Sequence, residues 1–174
     1  MKSLIAAAAA ITLAAVAAPA SAQDLAPSFY GNVGGEIVDQ SHVDVGAVDA
    51  RVGARFARYF GVEGEFGFGV NTASVADYSL KVRNHYAGYA AAFLPVLPNL
   101  DAFARVGYGR TNVKGQDAGV AYRDGLDSVN YGGGVQAFVT PKDGIRAEYT
   151  RFDFTRDGAG AANVWSLAYV RKFN

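Results

Sequence analysis

The stretch N-V-W-S-L-A-Y-V-R-K-F, residues 163–173, divides cleanly into two alternate sets. Trp165, Leu167, Tyr169, Arg171 and Phe173 form one set, large and mostly aromatic. Val164, Ser166, Ala168, Val170 and Lys172 form the other, smaller and with a charge only at its end. Successive side chains of a strand point to opposite faces, so this pattern predicts a strand with one bulky apolar face. A strand crosses a bilayer in about 9–11 tilted residues, and this one has the length to do so. A soluble sandwich would turn the bulky face inward, and a transmembrane barrel would turn it toward lipid. The rest of the chain decides between the two.

The same alternation recurs upstream. In 29–38, Phe29, Val33 and Ile37 oppose Tyr30, Asn32 and Glu36. In 48–56, Val48, Ala50, Val52, Ala54 and Phe56 oppose Asp49, Arg51 and Arg55. In 62–70, Val62, Phe66, Phe68 and Val70 oppose Glu63 and Glu65. In 80–94, Val82, Tyr86, Ala90, Ala92 and Leu94 oppose Lys81, Arg83, His85 and Tyr89. Ala102, Ala104, Val106 and Tyr108 oppose Asp101, Phe103 and Arg105. Tyr131, Val135, Ala137 and Val139 oppose Gln136 and Phe138, and Ile145, Ala147 and Tyr149 oppose Arg146 and Glu148. With the closing stretch this predicts eight strands, the even number of bacterial single-chain barrels. Short turns fall near 60, 97 and 142, where Pro95, Pro98 and Pro141 interrupt pairing. Polar loops are predicted near 42, 75, 119 and 158, with 111–127 the longest and Asp124-Gly125 as a turn signal. Short turns at one end and long loops at the other are the periplasmic and extracellular ends of an outer-membrane barrel.

Charge settles which face is inside. The apolar set is free of charge except near strand ends, at Arg110, Arg151 and Arg171. The opposite set holds Glu36, Asp49, Arg51, Arg55, Glu63, Glu65, Lys81, Arg83, Asp101, Arg105, Arg146 and Glu148. A charge on a lipid face costs roughly 2–4 kcal/mol at the midplane and little at the interfaces. A soluble up-and-down barrel would invert the two faces. The fold class is therefore an all-β, eight-stranded antiparallel up-and-down transmembrane barrel. Glycines on the charged set, such as Gly53, Gly67, Gly107 and Gly134, leave room in a narrow lumen.

The N-terminus supports export. Met1-Lys2-Ser3 is a short basic start, 4–18 is apolar and Ala20-Ser21-Ala22 is a small-residue cleavage site. This predicts a signal peptide over 1–22 and a barrel domain over 23–174. Removing 1–22 takes one base, leaving 15 basic and 16 acidic side chains. That balance gives no basis for nucleic-acid binding. The absence of cysteine excludes disulfides, thiolate metal sites and thiol catalysis.

The chain resembles the OmpA/OmpX-type outer-membrane β-barrel family, of the opacity-like kind. The residues that carry the resemblance are Phe60-Gly61-Val62-Glu63-Gly64-Glu65-Phe66-Gly67, Arg105-Val106-Gly107-Tyr108-Gly109, Arg146-Ala147-Glu148-Tyr149-Thr150-Arg151-Phe152 and Trp165 through Phe173. The resemblance implies a Gram-negative outer membrane, a terminal aromatic read by the barrel-insertion machinery, and contact with lipopolysaccharide. Here Asn174 stands behind the aromatic Phe173.

The candidate site is the lumen network: Glu36, Asp49, Arg51, Arg55, Glu63, Glu65, Lys81, Arg83, His85, Arg105, Gln136, Arg146 and Glu148. An eight-stranded lumen is just wide enough for side chains to fill, and buried charges must pair. A plug of ion pairs is favoured over an open pore. A turn centred near Tyr59 would set Arg55 opposite Glu63, and one near Lys142 would set Gln136 opposite Glu148. His85 titrates near neutral pH if unperturbed, so it is either a gate or a satisfied interior histidine. His42, with Asp39 and Asp44, is a faint divalent-ion pattern on a polar loop. Two histidines without cysteine argue against a transition-metal site, and no cofactor is expected. Arg110 and Arg151 at the outward rim would either grip lipid phosphates or simply be solvated. Ser41-His42 is the only adjacent Ser–His pair, and neither a nucleophile elbow nor a phosphate loop is present. The expected function is a monomeric, non-catalytic barrel for envelope structure and surface interaction. The alternatives are a small porin-like solute channel and a lipid-modifying enzyme.

Overall fold

Among the described residues, alternating side chains and tight turns produce nine strands in a single antiparallel system. The computed structural model describes residues 27–40, 43–56, 58–70, 73–75, 78–117 and 120–173. The strands are β1 (Ser28–Gln40), β2 (Val43–Phe56), β3 (Phe60–Gly69), β4 (Ala73–Val75), β5 (Tyr78–Leu97), β6 (Leu100–Asp117), β7 (Val120–Phe138), β8 (Asp143–Phe154) and β9 (Ala161–Lys172). The short β4 pairs only with the start of β5. The other eight run in the order β3-β2-β1-β9-β8-β7-β6-β5, and pairing of β3 with β5 closes the ring. Closure gives each of those eight strands a paired neighbour on both sides, which is what allows strands to stand in hydrocarbon. The expected signal peptide, Ser41, His42 and Asn174 lie outside the described residues, as do the side chains of Asp44 and Lys81.

The closing strand β9 turns Trp165, Leu167, Tyr169 and Phe173 outward and buries Val164, Ala168 and Val170. The same outward apolar surface continues around the barrel through Val33, Val52, Phe66, Leu94 and Val135. Inside, Arg51 and Arg146 are 2% and 0% exposed, fully enclosed by the strands that carry them. Tyr108, Tyr131 and Trp165 stand exposed toward the loop end, with the Tyr149 ring 4.8 Å from that of Trp165. Such amphipathic rings belong at a membrane–water interface.

Three expectations are corrected. The segment 111–127 is a paired ribbon rather than a loop: β6 and β7 stay in register out to Asp117 opposite Val120. Asp124-Gly125 therefore lies within the ladder, opposite Val113 and Asn112, and the Asp124 carboxylate accepts from the Gly125 N–H at 2.8 Å. Likewise β1 and β2 pair through Gln40 and Val43, so most of the first polar loop is also ribbon. Finally, strict alternation fails at Arg83. A register irregularity between Val82 and Asn84 buries Val82 and exposes Arg83, while His85 returns to the interior. One extra residue in a strand moves its neighbours to the opposite face, so Arg83 is not in the lumen.

Candidate functional site

The lumen is layered. At the periplasmic end Tyr30, Ala91, Phe93, Phe103, Phe138 and Val170 form a buried apolar cluster. Phe152, Ala162 and Val164 form another toward the extracellular end. Between them lies the ionic layer, in which three guanidiniums meet five carboxylates.

Arg146 on β8 forks onto Glu63 on β3, its Nη1 and Nη2 donating to Oε1 and Oε2 at 2.6 and 3.2 Å. Its Nε donates to Glu148 Oε2 at 2.9 Å. Arg105 on β6 donates to Glu65 Oε2 at 2.6 Å and to Thr150 Oγ1 at 3.0 Å, and also pairs with Glu148. Arg51 on β2 reaches Glu65 Oε2 at 2.7 Å, Glu148 Oε2 at 3.0 Å and Asp49 Oδ2 at 3.2 Å. Charge-assisted bonds of this kind are the strong ones, and the fork adds geometric definition. Tyr30 donates to Glu63 at 2.7 Å, and Tyr89 donates to Glu65 at 3.0 Å. Two guanidiniums also lie over rings, Arg105 on Tyr89 at 3.9 Å and Arg146 on Phe103 at 3.7 Å.

Glycine makes these positions possible, though less directly than expected. A Cβ at Gly53 would collide with the Tyr30 ring, and one at Gly67 with the His85 ring. The room is taken by rings, which then brace the charged groups. Tyr30, Tyr89, Asn130 and Thr150 belong to the network although the charge pattern did not single them out. Their signal was strand parity, which puts all four on the lumen face.

The remaining lumen candidates sit elsewhere. Arg55 is not opposite Glu63: Gly53 is, because Phe56 faces Phe60 and the turn is centred one residue earlier than expected. Arg55 instead donates to Asp101 Oδ2 at 2.8 Å and to the Arg58 carbonyl. Gln136 is not opposite Glu148 but opposite Arg146, since Phe138 faces Gly144, and its side chain donates to Asp101 at 3.0 Å. Asp101, Arg55 and Gln136 thus make a separate group at the periplasmic mouth. The mouth opens into a vestibule of about 370 Å³ lined by Arg55, Arg58, Asp101, Phe138 and Lys172 among others.

His85 on β5 points into the upper lumen beside Glu36 and Glu65. Its Nε2 lies 3.7 Å from Glu36 Oε2 and 3.4 Å from Glu65 Oε1. Its ring packs edge-on to Phe152 at 6.0 Å.

At the outward rim both candidate arginines are already engaged. Arg110 pairs with Asp127 at 3.1 Å. Arg151 donates to Asp153 at 2.9 Å and to Asn163 at 3.2 Å. Both remain partly exposed.

Comparison with known proteins agrees with this architecture. A family model described as "Outer membrane protein beta-barrel domain" matches residues 6–173. No curated protein matches the sequence. Among solved structures, the N-terminal β-barrel domain of Pseudomonas aeruginosa OprF aligns with TM-score 0.66 at 12% identity, covering 84% of this chain and 97% of that one. Neisserial surface protein A aligns with TM-score 0.61 at 12% identity and the same two coverages. Ail of Yersinia pestis aligns with TM-score 0.58 at 16% identity, again over 84% of this chain and 97% of its own. At such identities the likeness is one of fold. The chain belongs to the outer-membrane protein β-barrel domain family, as an outer-membrane barrel with an OmpA/OmpX-type fold.

Proposed function

We propose that the protein is a non-catalytic outer-membrane anchor with a plugged lumen, acting in envelope structure and in surface contacts through its extracellular hairpins. The observation that carries this reading is the ionic layer. Arg51, Arg105 and Arg146 reach from β2, β6 and β8 to carboxylates on β2, β3 and β8, bridging the barrel's cross-section. Below it lies the buried cluster of Tyr30, Ala91, Phe93, Phe103, Phe138 and Val170. The β6–β7 hairpin, with the N-terminal part of β5 paired alongside it, supplies the contact surface. β5 runs 20 residues, β6 18 and β7 19, against 10 in β3. At about 3.3 Å per residue they outrun a hydrocarbon core of about 30 Å. The solute-channel reading draws on the periplasmic vestibule, which is a ready entrance from one side. Planar-bilayer recording of the refolded barrel separates the two. The anchor gives rare, small current events, whereas a steady, large current would make the vestibule a channel mouth and put the channel reading first.

The proposal includes a monomer inserted by the barrel-insertion machinery through Phe173, with lipopolysaccharide at the rim. Arg110 and Arg151 can share their outer N–H groups between Asp127 or Asp153 and a lipid phosphate, since each guanidinium has five donors. The double change Arg110→Gln and Arg151→Gln lowers lipopolysaccharide binding at low salt while leaving the β spectrum of the refolded barrel intact. Unchanged binding would assign both arginines to their protein partners alone.

A further inference from the structure

We propose that Glu36, Glu65 and His85 form a buried site for a divalent transition-metal ion of zinc type. Nothing in their sequence spacing announces it. They come from β1, β3 and β5 and converge only because the barrel closes through the β3–β5 seam. One ligand atom from each lies within 4.8 Å of the others, and all three residues are buried.

Three observations point to a cation. First, the His85 nitrogen stands from each carboxylate oxygen at about the distance an ion would impose, and the three ligand atoms all lie within 4.8 Å of one another. Atoms about 2.0–2.1 Å from a tetrahedral zinc are separated by about 3.3 Å, and His85 Nε2 stands 3.4 Å from Glu65 Oε1 and 3.7 Å from Glu36 Oε2. Second, two of the atoms aimed at this point have no hydrogen-bond partner among the described residues. Glu36 and His85 are each 4% exposed, yet neither Glu36 Oε2 nor His85 Nε2 makes a hydrogen bond among the described residues. The approach of Arg51 to Glu36 is only 4.0 Å. A buried carboxylate left in that condition is costly. Third, the charge of the layer does not close. Within the ionic layer, leaving aside Asp101, which pairs with Arg55 at the mouth, Glu36, Asp49, Glu63, Glu65 and Glu148 face Arg51, Arg105 and Arg146; among the described residues, with His85 neutral as a ligand must be, that is an excess of two negative charges, which one divalent ion cancels. Tyr89 donates to Glu65 Oε1, and Arg51 and Arg105 hold Oε2, fixing the carboxylate toward His85. An imidazole beside two carboxylates suits zinc and its neighbours over calcium or magnesium, which take oxygen alone.

The test unfolds the full protein in urea with a chelator and refolds it into detergent with or without zinc chloride. The expected result is one zinc ion retained per chain after desalting and a higher thermal midpoint than without zinc, with calcium and magnesium giving neither. His85→Gln and Glu36→Gln each weaken zinc retention by at least about tenfold, whereas His42→Gln leaves it unchanged. Without zinc, Glu36→Gln is at least as stable as wild type because it relieves the charge excess. With zinc, wild type overtakes it. Cobalt refolded into the wild type provides a readout that needs no variant, the intense visible bands of a tetrahedral site with a nitrogen ligand. Failure of wild type to retain zinc, equal retention by His85→Gln, loss of retention with His42→Gln, or cobalt bands of octahedral weakness would each overturn the assignment.

Discussion

Arg146 holds the centre of the lumen, bonded to Glu63 and Glu148 at once and wholly shielded from solvent. Removing one member of a buried pair costs about 3–5 kcal/mol, because the survivor keeps its desolvation penalty without its partner. The two members are not equivalent here. Arg146→Gln leaves Glu63 and Glu148 in a layer that already has more carboxylates than guanidiniums, whereas Glu63→Gln leaves Arg146 still bound to Glu148. Urea unfolding of the refolded barrel should therefore show the larger loss for Arg146→Gln, and the double variant should recover part of it. Equal losses, or simple additivity, would mean that the layer is wet enough to screen these charges. The residue types at this site were legible in the sequence, because charge confined to one strand parity can only mean one face. The partners were not. Glu63 faces Gly53 and not Arg55, and Gln136 faces Arg146 and not Glu148, because a turn centre displaced by one residue moves the cross-strand partner by two.

Strand by strand, the inside–outside assignment rests on single-residue parity, and β7 tests it with adjacent positions. Val135 faces outward, and Gln136 is buried against Asp101. Val135→Arg puts a cation on the lipid face and should cost roughly 2–4 kcal/mol or block insertion. Gln136→Arg can turn to Asp101 and should refold better, and the reverse ranking in a lipid refolding assay would shift the register by one. Sequence parity could not reveal the irregularity at Arg83, because nothing in Val82-Arg83-Asn84 marks an inserted residue. The β6–β7 ribbon was hidden for a different reason: backbone pairing beyond the membrane does not need an apolar face, so polar residues read as loop. That ribbon carries its own titratable clasp. Arg156, in the β8–β9 connection, donates to Asp124 Oδ1 at 2.9 Å and to the Gly125 carbonyl at 3.2 Å. The Arg156 guanidinium first, and then the Gly125 N–H, hold the Asp124 carboxyl below its ordinary value. A lowered value stabilises the folded clasp above the unfolded aspartate pKa of about 3.9, and that contribution fades as pH falls through the lowered value. Amide exchange in 155–160 should therefore be flat from pH 7 to about 5 after correction for intrinsic rates, and should quicken below about 4. In Arg156→Gln it should be fast throughout. A wild type without the acid limb would mean that the clasp does not order the connection.

At the scale of the whole barrel, the plug proposed above consists of two barriers of different chemistry stacked in series. The ionic layer lies in the middle, and Tyr30, Phe93, Phe103 and Phe138 pack together in the section beneath it. Series barriers make a specific prediction, since removing one leaves the other standing. Replacing Arg51, Arg105, Glu65 and Glu148 together by serine clears much of the charge while leaving the aromatic section intact, so planar-bilayer current should stay close to that of wild type. Adding Phe103→Ala and Phe138→Ala joins the cleared middle to the vestibule beside Arg55 and Lys172, and the current should then rise well above both. Retention of the β spectrum and of resistance to proteolysis would show that each variant is still a closed barrel when its current is read. If the serine variant alone conducts freely, the ionic layer is the sole gate and the aromatic cluster is only a floor with gaps. If wild type already conducts as well as the cleared barrel, neither layer is a plug, and the lumen charges line a path instead of closing it.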